Sequence, residues 1–282
     1  VAMGLLAALV VGGAGCSFEL DVCDDDSECT DTQRCSEGLC VEKPRVEVVA
    51  NIGDDTVWTA DKVWVLTDVI TVQPSARLTI EPGTVIHGEQ GSALVVRAGG
   101  VLDATGLREA PIVFTSAERV GQRLPGDWGG LVMLGFAPVN RERAQLRIQP
   151  GELEPPFGGT DPSWYCGTLK YVRVEFAGGP VSGEEYLNSV SLGGCGKDTV
   201  IDYLQVHFGG DDGLELFGGT VDVFHVVATR SQDEGVDIDL GWQGIGQFLA
   251  VQLDAGSQAS VEIDNLKEDA TAFPRTDFQF YN

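Results

Sequence analysis

The words Leu214-Glu215-Leu216, Val236-Asp237-Ile238 and Val261-Glu262-Ile263 recur 22 and 25 residues apart. Each of the first two follows an acidic corner, "GGDDG" at 209–213 and "QDEG" at 232–235. Upstream, "LKYVRVEFAGG" (169–179) aligns residue by residue with "IDYLQVHFGGD" (201–211). The segments "TVQPSARLTI" (71–80), "TIEPGTVIHG" (79–88) and "VVRAGGVLDA" (95–104) share one template of apolar pair, turn and apolar pair. A repeat of this kind constrains a fold more than any single motif, because each copy must solve the same burial problem.

Alternation within each repeat is the signature of a strand with one face inward. Crossover helices are missing, and the only Asp-Gly link between repeats, Asp212-Gly213, lies in the acidic corner. Strands joined by neither helices nor hairpins stack in parallel when the chain coils, one rung per turn, into a β-solenoid. Equivalent residues of successive rungs then lie about 4.8 Å apart. Leu214, Leu216, Val236, Ile238, Leu240, Val261 and Ile263 are expected inward. Glu215, Asp237 and Glu262 should form one outward column and Asp239 and Asp264 another, with Asp211 above Asp233 and Asp212 above Glu234 at the corner.

The composition agrees: 37 Gly and 2 Met in 282 residues favour strands and turns. The net charge of −25 excludes nucleic acid as a partner, since phosphates would be repelled. Residues 199–269 alone carry 14 Asp and Glu against 2 Lys and Arg.

The first residues, "VAMGLLAALVVGGAGC", hold an apolar run too short to span a bilayer, followed by small residues. Residues 1–15 are expected to be a lipoprotein-type signal peptide with Cys16 as the acylated residue. An ordinary secretory signal with a structural Cys16 is the alternative. There are seven cysteines, and acylation of Cys16 leaves six to pair. Cys23, Cys29, Cys35 and Cys40 fall in a segment too poor in apolar residues to form a core, so two disulfides are expected to order it. Their spacing lacks the Cys-x-x-Cys pairs of zinc knuckles. Residues 16–45 read as an acidic, disulfide-tied stalk, and 46–282 as the solenoid. Cys166 and Cys195 are expected to bridge neighbouring rungs at the base of a long insertion, 136–166.

Several stretches together, "RLTIEPGTVIHG" (77–88), "APIVFTSA" (110–117), "GDWGGLVMLGFAPVN" (126–140), "GTLKYVRVEFAG" (167–178), "GGDDGLELFGGTVD" (209–222), "VEIDN" (261–265) and "PRTDFQFYN" (274–282), resemble a family of exported bacterial lipoproteins. The resemblance implies a right-handed parallel β-helix and surface display, and carries no established activity. In that family further strands follow the "PRT" word, so a truncated C-terminus is expected here.

Three readings of function follow. Stacked carboxylates about 5 Å apart repel, and solvation, raised pKa values or a bound Ca²⁺ can relieve them. Asp211, Asp212, Asp233 and Glu234 are the candidate metal ligands, against the plainer reading of acids that keep a sheet face soluble. An enzyme is the second reading. "GDD" at 210–212 resembles one motif of polygalacturonase-type glycoside hydrolases, and would make Asp211, Asp212 and Asp233 the catalytic acids of a hydrolase or lyase. The accompanying Gly-His-Gly and Arg-Ile-Lys words are absent. The third is a display or adhesion scaffold, anchored in the outer membrane or at the cell surface, for a polysaccharide or surface protein. Trp128, Trp164 and Tyr165 would then offer an aromatic platform, or else simply cap the insertion. His87, His207 and His225 lie in separate strands without metal-ligand spacing.

Overall fold

The computed structural model of the chain describes residues 22–149, 153–182 and 185–282. The chain divides into two units, with the boundary between Glu42 and Lys43.

In the N-terminal unit the strands Gln33–Ser36 and Leu39–Glu42 pair antiparallel, Cys35 opposite Cys40. Glu37 and Gly38 both have positive φ, 54° and 79°, as a tight two-residue hairpin turn demands. Disulfides join Cys23 to Cys35 and Cys29 to Cys40. The spacing had left this pairing open. The hairpin resolves it: facing cysteines reach back to different partners.

The second unit is a parallel β-helix with three faces. The first comprises Thr56–Trp58, Arg77–Ile80 and Val101–Thr105, then the leading halves of Gly167–Glu175, Val200–His207, Val223–Thr229 and Ile245–Gln252, and lastly Gln279–Tyr281. Arg45–Val48, Val63–Leu66, Val85–Gly88 and Ile112–Ser116, with the trailing halves of the same long strands, form the second. Val69–Val72, Ala93–Val96, Gly130–Leu134, Val190–Gly193, Leu214–Phe217, Val236–Asp239 and Val261–Ile263 form the third. Every pairing between rungs is parallel.

Early rungs turn between the first two faces through short loops such as Glu81–Thr84. Later rungs make the same turn at one residue in the left-handed region: Tyr171, Tyr203, His225 and Phe248, with φ of 50°, 54°, 49° and 59°. Each such residue costs roughly 1–2 kcal/mol. Stacking offsets it. The four rings lie face to face at 4.5, 4.3 and 4.7 Å, close to the natural rung spacing. The next corner repeats the device with Phe176 on Phe208 at 5.3 Å and the Arg230 guanidinium 4.9 Å from the Phe208 ring. At the third corner Gly194, Gly218 and Leu240 hold the left-handed position.

The interior column expected from alternation is present through Leu214, Leu216, Val236 and Ile238, all buried in the continuous core, whereas Leu240, in the left-handed conformation, is buried among the apolar side chains outside that face. Val261, half-buried, still packs against that core, whereas Ile263 is 43 % exposed. Their strand is the last in its ladder, so rungs cover it from one side only.

A second apolar layer lies outside the third face. Val95, Val132 and Leu134 point outward there and pack with Ala144, Ile148 and Phe157 of the 136–166 insertion. Gly193 makes the fit possible, because a Cβ there would approach Leu134 Cδ2 to 2.8 Å and Phe157 to 3.0 Å. The Cys166–Cys195 disulfide, both residues fully buried, pins the end of the insertion as expected.

Candidate functional site

Downstream of this apolar layer the outward side of the third face turns acidic. The registers place Glu215 beside Asp237 and Asp237 beside Glu262. One turn earlier in each rung, Gly213 N–H donates to the Glu234 carbonyl, and the Glu234 N–H donates to Asp212 Oδ1 at 2.9 Å. Asp211 and Asp212 therefore lie over Asp233 and Glu234, as the repeat had required.

Two sets of carboxylates come together. Oxygens of Asp211, Asp212 and Asp233 lie within 4.8 Å of one another, as do oxygens of Asp212, Glu215 and Asp237. Asp212 belongs to both sets. Glu234, the fourth expected ligand, bonds to Asp212 instead of completing the first triad. Glu215 and Asp237 were read from sequence as members of a solvent-facing column rather than as partners of Asp212. The structure buries Glu215 to 8 % exposure, under Asn188, whose Nδ2 donates to its carboxylate. Asn188 is two residues before Val190, which pairs with Leu214. Only the rung register, invisible in a linear motif, reveals that neighbourhood.

Burial and mutual repulsion govern the electrostatics. Burial raises Glu234 to about 8, helped by its hydrogen bond with Asp212 and by the charges of Asp212, Asp233 and Glu262. Burial also raises Asp212 to about 7, with Asp211 adding and the Glu234 N–H opposing. Asp211 and Asp237 are each pushed up to about 6, first by burial and then by neighbouring acids. Glu215 is held well above its usual range by burial, then by Asp237 and Asp212. The seam is thus short of counter-charge. Two of its buried oxygens, Asp233 Oδ1 and Asp237 Oδ1, have no hydrogen-bond partner.

Such a donor set suits a hard cation. Oxygens on opposite sides of a bound Ca²⁺ lie about 4.8 Å apart, twice the usual Ca–O distance. Both triads fall within that span, and the two unpartnered oxygens are the acceptors an ion would satisfy. The remaining group of close ligand-type residues among the described residues, Cys23, Cys29 and Cys40, is spent in disulfides.

The aromatic platform does not assemble. Trp128 is 1 % exposed, stacks on Phe114 and donates its indole N–H to the Glu175 carbonyl at 2.9 Å. It fills the space Gly88 leaves open, where a Cβ would lie 2.5 Å from the indole. Trp164 is half-buried against the core and edge-on to Phe136 at 4.7 Å, and the Tyr165 hydroxyl bonds to Thr168. These rings cap the insertion. Of the histidines, His225 bonds Asp202 at 2.9 Å and His207 bonds Thr229 at 2.6 Å. Neither joins a group of potential metal ligands among the described residues. Cys16, the expected lipidation site, lies outside the described residues.

No curated protein and no solved structure matches the chain. A family model does, the pectate-lyase like beta helix domain, over residues 50–282. That span takes in nearly all of the three-faced solenoid, and with it the acidic seam; the chain belongs to the pectate-lyase-like β-helix domain family.

Proposed function

We propose that this β-helix is an exported binding or adhesion scaffold whose acidic seam is held together by Ca²⁺. The carrying observation is the pair of carboxylate triads that share Asp212, each with its oxygens within 4.8 Å. Six to eight oxygens are needed around Ca²⁺. Asp211, Asp212 and Asp233 supply the corner set, and Glu215 and Asp237 extend it along the strands. The ion displaces the protons that the raised pKa values otherwise retain, so affinity grows with pH. Disulfides in both units favour an oxidising, extracytoplasmic setting. Anchoring through a lipid on Cys16, at the outer membrane or cell surface, and a polysaccharide or surface protein as partner, complete this reading.

A lyase or glycoside hydrolase acting through Asp211, Asp212 and Asp233 fits less well. Inverting hydrolases separate acid and base by about 6.5–9.5 Å to admit water, and retaining ones by about 5–5.5 Å. Here the oxygens crowd within 4.8 Å, and Asp212, Glu215 and Glu234 are each under 9 % exposed.

The test is calorimetric titration of the purified chain with Ca²⁺ at pH 8, beside Asp211→Asn/Asp233→Asn. Binding in the parent, weakened at least tenfold in the double variant and at pH 5, is the expected result. Equal heats in parent and variant would overturn the site. New reducing ends or unsaturated uronates on incubation with acidic polysaccharides would make the protein an enzyme.

A further inference from the structure

Residues 135–141 do not follow the coil; they run across it. Gly135 N–H donates to the Gly193 carbonyl and Ala137 N–H to that of Gly194, both at 2.8 Å. One rung on, Gly219 N–H donates to the Pro138 carbonyl at 2.8 Å, and one further Asn140 N–H donates to Leu240 at 3.0 Å. Asn140 Nδ2 then reaches Asn265, donating to its carbonyl at 2.9 Å and its side-chain oxygen at 3.0 Å. Arg141 closes the line with a two-pronged pair to Glu268, at 3.0 and 2.9 Å. Four successive rungs are stitched by seven residues.

The glycines at the crossing points confirm that the backbone was shaped for this passage. A Cβ on Gly218 would lie 2.7 Å from Val139 Cγ1, and one on Gly241 would lie 3.0 Å from Asn140 Nδ2. Asn265 is the buckle. Its side-chain oxygen also accepts from Thr276 N–H at 2.9 Å, and its amide donates to the carbonyls of Ala270 and Ala272. The whole 264–276 loop, from which the strand Gln279–Tyr281 follows, thus depends on one side chain that Asn140 grips.

We propose that residues 135–141 form an electrostatic strap that holds the last acidic rung, Val261–Ile263 with the 264–276 loop, onto the stack, with Asn140 and Arg141 as its clasp. The segment's neighbours carry the reason. Arg141 pairs with Glu268 of the loop and acts on Asp239 of the penultimate rung, which in turn faces Asp264 and Glu268. Lys267 stands beside Glu268, and Glu142 and Arg143 follow Arg141 immediately past the strap. Arg141 is thus the cation set against one end of the acidic columns, and Asn140 holds the backbone that would separate if they repelled. The strap requires no ion, so it stands or falls apart from the Ca²⁺ site.

Hydrogen exchange of the full chain, read as protection factors without divalent cations, tests this. In Asn140→Ala and in Arg141→Gln, protection at 261–281 is expected to fall roughly tenfold at pH 8, while 200–207 and 223–229 keep theirs. Adding 1 M salt should restore most of the loss in Arg141→Gln. Arg141→Lys, which keeps the charge, should behave as the parent. Unchanged protection at 261–281 in both variants would overturn the strap. A loss spread evenly over all rungs would do the same, as would an Arg141→Gln loss indifferent to salt.

Discussion

At the scale of single residues the acidic seam is governed by desolvation more than by pairwise repulsion. Glu215 shows the balance. Its carboxyl is buried, accepts from Asn188 and faces Asp237 and Asp212, so the neutral form is favoured. Glutamine has the same shape and can accept the same hydrogen bond, without the ionisable group. Glu215→Gln is therefore expected to raise the melting temperature at pH 8, in EDTA, by about 2–4 °C, which corresponds to roughly 1 kcal/mol for a domain of this size. Below about pH 4, where this carboxyl is protonated in the folded and the unfolded chain alike, the two melting curves should coincide. With Ca²⁺ present the order at pH 8 should reverse, because the variant has lost a charged ligand. A lower melting temperature for the variant in EDTA at pH 8 would mean that Glu215 is ionised and paired.

At the scale of elements, corners carry as much information as strands. Alternation in the sequence was enough to place Leu214, Leu216, Val236 and Ile238 inside and to set Glu215 over Asp237, since a period of two admits one inward phase. The corner residues were not legible in that way. Nothing in the words Lys-Tyr-Val, Tyr-Leu or His-Val announces a left-handed bend at Tyr171, Tyr203 and His225; it follows from the ring stacking, which exists only once rungs are in register. Trp128 was misplaced for the same reason. An aromatic beside two glycines looks like a surface feature until Gly88, 40 residues earlier, is seen to vacate its pocket. Leu240 tests the energetics of a corner. Glycine there would relieve a left-handed backbone worth roughly 1–2 kcal/mol, but would lose a side chain that is 2 % exposed, worth about 2–3 kcal/mol together with the void left behind. Burial should win, so Leu240→Gly is expected to destabilise by about 1–2 kcal/mol in urea unfolding. A stabilised variant would show that strain rather than packing dominates the third corner. The Cys166–Cys195 bridge spans 29 residues, and chain-entropy reasoning assigns its removal by a double alanine substitution a loss of about 3–4 kcal/mol.

For the whole molecule, the charge of −25 is less informative than where its protons go. Asp211 and Asp237 titrate near 6, Asp212 near 7 and Glu234 near 8, all above the values of about 4 expected for the unfolded chain. Between pH 4 and 8 these four carboxyls bind more protons in the folded state than in the unfolded state, and together they outweigh His87, which burial lowers to about 4 and which acts in the opposite sense. Stability must fall as pH rises through that window, the reverse of the usual behaviour of proteins whose carboxylates are salt-bridged. The contribution is fully present below about pH 4 and lost by about pH 8. Ca²⁺ acts in the opposite sense, since it binds the deprotonated seam and adds stability that grows with its free concentration. The two curves have to cross. In EDTA the urea midpoint should be higher at pH 5 than at pH 8; in millimolar Ca²⁺ the difference should shrink or invert, and Asp211→Asn/Asp233→Asn should respond less to either ligand. A midpoint in EDTA that climbs from pH 5 to pH 8 would show that these carboxylates are ionised in the fold at little cost. The acidic seam would then be ordinary solvated surface, and proton and calcium would have no common site for which to compete.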